Sequence, residues 1–131
     1  MVAVVQVNLI VSDLERSREF YQRLGVEFLP RHRDGDGPAE AWVSVDTGIT
    51  FVLHSTRFAA WWDENAPQPV PGGPQMDLEV ASPREVDRIV DEVRAAGATV
   101  VKPPADMPFR MRFAIVLDPD GYRIGLKAPL T

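Results

Sequence analysis

The sequence predicts an α+β fold in which one βαβββ unit is written twice. Three observations carry that prediction. Residues 6–25, QVNLIVSDLERSREFYQRLG, are echoed by residues 75–97, QMDLEVASPREVDRIVDEVRAAG. Each copy opens with alternating apolar and polar residues, passes a Ser-x-x-Glu, runs through an amphipathic stretch and stops at a Gly. Each is then followed by further short alternating runs broken by Gly-containing turns. Two similar halves of this kind are expected to face one another, an arrangement that usually makes a cleft.

Alternation with period two gives a strand with two unlike faces. In the first copy Val5, Val7, Leu9 and Val11 form the apolar row, and Gln6, Asn8 and Ile10 point the other way. In the second, Met76, Leu78 and Val80 oppose Gln75, Asp77 and Glu79. The apolar rows are expected to pack under the helices. The sequences SDLE at 12–15 and SPRE at 82–85 fit capping boxes, in which Ser and Glu satisfy orphan backbone N–H groups. Pro83 suits the first helical position, where a missing N–H costs nothing. Leu14, Ser17, Phe20, Tyr21 and Leu24 make the buried face of the first helix, and Val86, Ile89, Val90 and Val93 that of the second. Gly25 and Gly97 end them.

The remaining elements follow in order. Residues 26–29 read as a short strand, 31–39 as a polar, Gly-rich turn, and 41–46 with 49–54 as a hairpin around Thr47-Gly48. Residues 57–65 carry Phe58, Trp61 and Trp62 on a short helix or loop. Residues 67–74, rich in Pro and Gly, form a linker, so the modules are 1–66 and 75–131 within one structural domain. In the second module 99–102 is a strand, 103–108 a loop, 111–117 a strand, 118–121 (DPDG) a tight turn and 122–127 the last strand. Aligning Gly48 with Gly121 matches Val52 to Gly125 and His54 to Lys127.

The chain has 131 residues, with 14 basic and 19 acidic side chains for a net charge of −5. That balance argues against nucleic acid and favours a cationic or neutral small ligand. The absence of Cys excludes disulfides, thiolate metal sites and a Cys nucleophile. No apolar run approaches the roughly 18 residues of a membrane span, and the start MVAVV lacks the basic residues of a signal peptide. The expectation is a cytoplasmic protein without a membrane partner.

The pattern VSDLERSREFYQRLG, followed after the linker by a second strand–helix and then LDPDGYRIGL, resembles the vicinal oxygen chelate superfamily over essentially the whole chain. That superfamily includes glyoxalase I, extradiol dioxygenases, fosfomycin-resistance enzymes and bleomycin-resistance proteins. The resemblance implies paired βαβββ modules forming a curled mixed sheet around a cleft, helices outside, completed by a homodimer. It also implies metal-ligand positions at Gln6, Val52, Gln75 and Gly125. Neither Val52 nor Gly125 offers a side-chain donor, and two neutral amides do not make a divalent site. No metal and no cofactor are therefore expected. Phe109-Arg110 stands where relatives carry an aromatic-Gly pair, which suggests a reshaped entrance.

Gln6, Asn8, Gln75 and Asp77 are read as the polar floor of a ligand site, since amides and carboxylates on a covered face need partners. Trp42, Trp61, Trp62, Phe109 and Met111, with Phe58, are candidate aromatic and apolar walls, some of them serving core or dimer interface instead. Arg112 and Arg123 are candidates to pair with Asp77 or Glu79, or to hold a ligand's anion. His54 is a candidate base near neutral pH, whereas His32 reads as a solvated loop residue. The leading expectation is a metal-free homodimer that binds a planar or cationic, antibiotic-like compound, as bleomycin-resistance proteins do. The alternatives are a glyoxalase-like lyase, isomerase or dioxygenase with altered ligands, a metal-free enzyme using His54 or Asp77, or a regulatory subunit with a vestigial cleft.

Overall fold

The structure is a computed structural model that describes residues 1–45 and 48–131. Asp46 and Thr47, which the sequence reading gave to the first hairpin, lie outside the described residues. The elements run β1 (Gln6–Val11), α1 (Leu14–Leu24), β2 (Phe28–Arg33), β3 (Ala39–Ser44), β4 (Thr50–Ser55), α2 (Thr56–Trp62), β5 (Gly72–Glu79), α3 (Pro83–Ala95), β6 (Val100–Met107), β7 (Met111–Leu117) and β8 (Tyr122–Pro129). The strands form two four-stranded mixed sheets, ordered β1-β4-β3-β2 and β5-β8-β7-β6. In each, the opening strand runs parallel to the last one and the other pairs are antiparallel. The α+β class and the twofold βαβββ order are as the sequence predicted. Two compact units result, one of residues 1–22 and 26–69, the other of 23–25 and 70–131.

In the first unit α1 covers one face of its sheet through aromatic edges. Tyr21 meets Phe51 at 4.9 Å and Phe20 at 5.2 Å, and Phe28 meets Phe51 at 5.8 Å. Ser17, Phe20, Tyr21 and Leu24 are buried, as the helical spacing required. The cap differs from expectation. The helix begins at Leu14, and Asp13 Oδ1 accepts the Arg16 N–H at 3.1 Å, so Asp13 is the N-cap in place of Ser12. Asp caps as well as Ser, and its charge also suits the positive end of the helix dipole.

In the second unit the helix is built as predicted. Ser82 Oγ accepts the Glu85 N–H, Pro83 opens the helix, and Gly97 (φ 99°) closes it in a Schellman turn, with the Ala98 N–H on the Val93 carbonyl at 2.9 Å. Val86, Ile89, Val90 and Val93 are buried with Ala114, Val116, Ile124 and Leu126 of the sheet. Each of the Val, Ile and Leu side chains among them contributes about 1.5–3 kcal/mol on leaving water.

Three boundaries overturn the sequence reading. β2 starts at Phe28 and runs to Arg33 through residues read as a turn, with register shifts around His32. β6 continues to Met107 through the expected loop, shifting register between Lys102 and Ala105. β5 begins at Gly72, inside the expected linker. Pro30, Pro103 and Pro104 hid these strands. Proline lacks an N–H and is tolerated in a sheet at an edge or a bulge, and both β2 and β6 are edge strands. The β6–β7 turn places Arg110 at φ 64°, a conformation usually left to Gly.

Candidate functional site

Strand register decides which side chains share a face. In the first unit Gln6, Asn8 and Ile10 pair with Thr50, Val52 and His54, and His54 and Val52 pair with Ala41 and Val43. These residues lie on the face opposite α1. Trp42 pairs with Leu53 and lies on the helix side, where its indole Nε1–H donates to Glu15 Oε1 at 3.2 Å under the Arg18 guanidinium, 4.7 Å from the ring. Trp42 therefore belongs to the α1 packing and is not one of the aromatic walls expected beside the polar floor. Alternation alone could have assigned it, since it is one residue off the Ala41–Val43 row.

The face opposite α1 carries a hydrogen-bonded chain. Gln6 Nε2 donates to Asn8 Oδ1 at 2.6 Å, and His54 Nε2 lies 3.2 Å from the same oxygen. Trp62 Nε1 lies 3.2 Å from His54 Nδ1. An indole N–H can only donate, so Nδ1 is the acceptor and the imidazole proton sits on Nε2, donating to Asn8. Burial lowers the His54 pKa and favours this neutral form. With both ring nitrogens engaged, His54 is held as a link in the chain, and its basic lone pair is capped by Trp62.

α2 supplies the rings. Ser55 Oγ accepts the Phe58 N–H at 3.0 Å and donates to Glu40 Oε2 at 2.6 Å, which fixes the start of this short helix against β3. Phe58 then stacks on His32 (4.9 Å, 23° between planes) and on Trp61 (5.7 Å, 21°), with His32 and Trp61 5.9 Å apart. Phe58 also leans on His54 at 5.2 Å, and Trp62 meets His54 edge-on at 5.6 Å. Trp61 remains 75 % exposed and Trp62 50 %. His32 is exposed to solvent as expected, but the loop reading is overturned: it is a β2 residue stacked on an aromatic ring. The irregular register of β2 aims it there, and no periodicity in RHRDGDG signals that.

The second unit repeats the register with different chemistry. Asp77 pairs with Gly125 and Glu79 with Lys127, in the same relation as Asn8 to Val52 and Ile10 to His54. Gln75 Nε2 donates to Asp77 Oδ1 at 2.9 Å, and Lys127 Nζ lies 3.7 Å from Asp77 Oδ2. The Asp77 carboxylate lies over Gly125, where a Cβ would collide with it. Arg123 shares the Gly125 row, and Met111 shares the row of Phe113, on whose ring edge the exposed Phe109 rests at 5.9 Å. Arg112 lies on the opposite, helix side, bonded to Asp87 at 2.7 Å and Asp106 at 3.0 Å. The expected pairing of Arg112 with Asp77 or Glu79 is thus replaced by two carboxylates on α3 and β6.

The residues at the positions implied for metal ligands do not fit a divalent cation. Val52 is buried and apolar, the space a residue-125 side chain would need is filled by Asp77, and Gln6 and Gln75, whose amide nitrogens bond Asn8 and Asp77, would bring only two neutral amide oxygens. Among the described residues no group of three or more His, Asp or Glu side chains is arranged to hold a metal. No helix is long and apolar enough to cross a membrane, again among the described residues.

The chain is similar in structure to a hypothetical protein from S. aureus (25 % identity, TM-score 0.77, covering 98 % of this chain and 95 % of that one). A glyoxalase/bleomycin resistance protein/dioxygenase from Nocardioides is also similar (25 %, 0.69, 99 % and 85 %). A lactoylglutathione lyase from Agrobacterium tumefaciens shares the fold at 18 % identity (TM-score 0.68, 96 % and 92 %). No curated protein matches the sequence significantly. Residues 3–126 match the family model described as the Glyoxalase/Bleomycin resistance protein/Dioxygenase superfamily, and the chain belongs to that superfamily.

Proposed function

We propose that this member of the superfamily is a small-molecule binding protein that captures a planar, antibiotic-like compound without a metal, and does so as a homodimer. The compound stacks on Trp61 and Trp62 and meets the polar chain of Gln6, Asn8 and His54. The observation that carries this reading is the cluster of near-parallel rings formed by His32, Phe58 and Trp61, which leaves the Trp61 indole three-quarters exposed. Large exposed aromatic surface beside polar groups is typical of ligand or partner contact. Binding then draws on stacking and desolvation, with no bond made or broken.

Titration calorimetry against neutral and cationic planar compounds tests it. Trp61→Ala and Trp62→Ala should each weaken binding about tenfold, the scale of one lost aromatic contact, with the circular dichroism spectrum unchanged. Undiminished affinity in both variants would place the compound elsewhere. If both variants become monomers in light scattering, the rings serve the dimer instead. The metal-free reading predicts no change in melting temperature when Ni, Zn, Mn or Co is added to chelator-treated protein. A stoichiometric, stabilising ion would overturn it.

A further inference from the structure

We infer that the face formed by Gln6, Asn8 and His54 recognises an amide-like edge, a carbonyl oxygen beside an N–H, on a flat and uncharged ring. The inference rests on the stacking reading above and names the class of compound that the same face selects. It follows from which hydrogen-bonding atoms the chain uses up and which it leaves.

Asn8 Oδ1 receives two donors, Gln6 Nε2 at 2.6 Å and His54 Nε2 at 3.2 Å. A carbonyl oxygen has two lone pairs, so this acceptor is saturated. The Asn8 Nδ2 group is consequently turned outward as a donor. Gln6 has committed an N–H, and its Oε1 is left as an acceptor. Among the described residues neither Asn8 Nδ2 nor Gln6 Oε1 has a protein partner. The face therefore shows one donor and one acceptor, two residues apart on one row of β1. A lactam or imide edge supplies the complement, its carbonyl to Asn8 Nδ2 and its N–H to Gln6 Oε1. The Gln6, Asn8 and His54 side chains carry no formal charge while His54 is neutral, so they reward hydrogen-bond pattern over cationic charge.

His54 is the positioning residue, and Trp62 sets it. With the indole N–H on Nδ1, the imidazole must donate from Nε2. That donation requires Asn8 to present oxygen inward and nitrogen outward. The reverse tautomer would flip Asn8 and exchange donor for acceptor on the ligand side. The equivalent position in the second unit is Asp77, a carboxylate with no donor to offer. The donor–acceptor pattern is accordingly peculiar to the first unit.

The test uses titration calorimetry with three flat bicyclic probes: carbostyril, a lactam; N-methylcarbostyril, which lacks the N–H; and N-methylquinolinium, a cation. Carbostyril should bind about tenfold tighter than its N-methyl derivative, the worth of one well-made hydrogen bond in a dry contact. Asn8→Asp keeps the acceptor for His54 but deletes the outward donor. It should erase the carbostyril preference and shift selectivity to N-methylquinolinium. Nitrogen NMR of the wild type should show a pyrrole-like Nε2 and a pyridine-like Nδ1 on His54, and Trp62→Phe should mix the tautomers and reduce the lactam preference several-fold. Equal binding of carbostyril and N-methylcarbostyril, or a protonated Nδ1, would overturn the inference while leaving the stacking reading standing. If none of the probes binds, the stacking reading fails and the inference with it.

Discussion

The carboxylate of Asp77 lies across Gly125, its register partner on β8, in the space a side chain at residue 125 would occupy. Phe113 closes the same space, 3.0 Å from the position of such a Cβ. Gly125→Ala should therefore destabilise the protein by about 1–3 kcal/mol, the usual cost of overfilling a packed site. In Gly125→Ala/Asp77→Gly the clash with the carboxylate is gone, and much of the loss should return. Chemical denaturation of the two single variants and the double variant measures the coupling. Additive effects would mean that Asp77 does not constrain residue 125.

The His54 imidazole predicts how stability responds to acid. Burial lowers its pKa in the folded protein below the ordinary 6.5, while the unfolded chain titrates at that value. As pH falls below 6.5, the unfolded state takes up a proton that the folded state resists, so stability is lost down to the folded pKa. The melting temperature should decline over this range in the wild type and decline less in His54→Gln. Identical slopes would show that His54 is as easily protonated folded as unfolded.

Arg110 occupies the left-handed region at φ 64° between β6 and β7. Its N–H bonds the Met107 carbonyl at 2.9 Å and its carbonyl accepts from Leu130 at 3.0 Å, so the turn depends on the backbone and not on the side chain. Arg110→Gly removes the steric penalty and should raise stability by about 1 kcal/mol. A fall in melting temperature would assign the guanidinium a stabilising contact.

Ser17 is fully buried on α1, and its hydroxyl has no hydrogen-bond partner among the described residues. Leaving a buried hydroxyl unpaired costs about 1–3 kcal/mol, and alanine is the better helix former. Ser17→Ala should raise the midpoint of urea denaturation without altering its slope. A lowered midpoint would show that the hydroxyl is satisfied after all.

The repeat itself was the most legible part of the sequence. Period-two alternation and helical spacing act over many residues, and they placed β1, α1, β5 and α3 with the buried rows of both helices. The match of Val52 to Gly125 and of His54 to Lys127 reappears as equivalent strand register. Legibility failed where a local rule has two solutions. Asp13 and Ser12 are both good caps, and only the start of α1 at Leu14 decides between them. Proline reads as a loop unless the strand is known to lie at an edge, which requires the sheet order. Trp42 and Arg112 were read as site residues because aromatic and basic side chains suit both faces of a covered sheet. The ring cluster was hidden for a further reason. It joins His32 to Phe58 and Trp61 across a bulge and a helix of about two turns, and neither leaves a periodic trace.

The prolines and bulges of β2 and β6 have a consequence for the protein in concentrated solution. An outer strand with free backbone groups is a template on which another chain can add, and repeated addition ends in fibres. In β2, Pro30 removes a donor and the shifts around His32 break the spacing of the rest; Pro103 and Pro104 do the same in β6. A misfolded neighbour finds no continuous row of donors and acceptors to copy. The departures from regular strand geometry that obscured these two elements in the sequence thus act as end-stops against polymerisation.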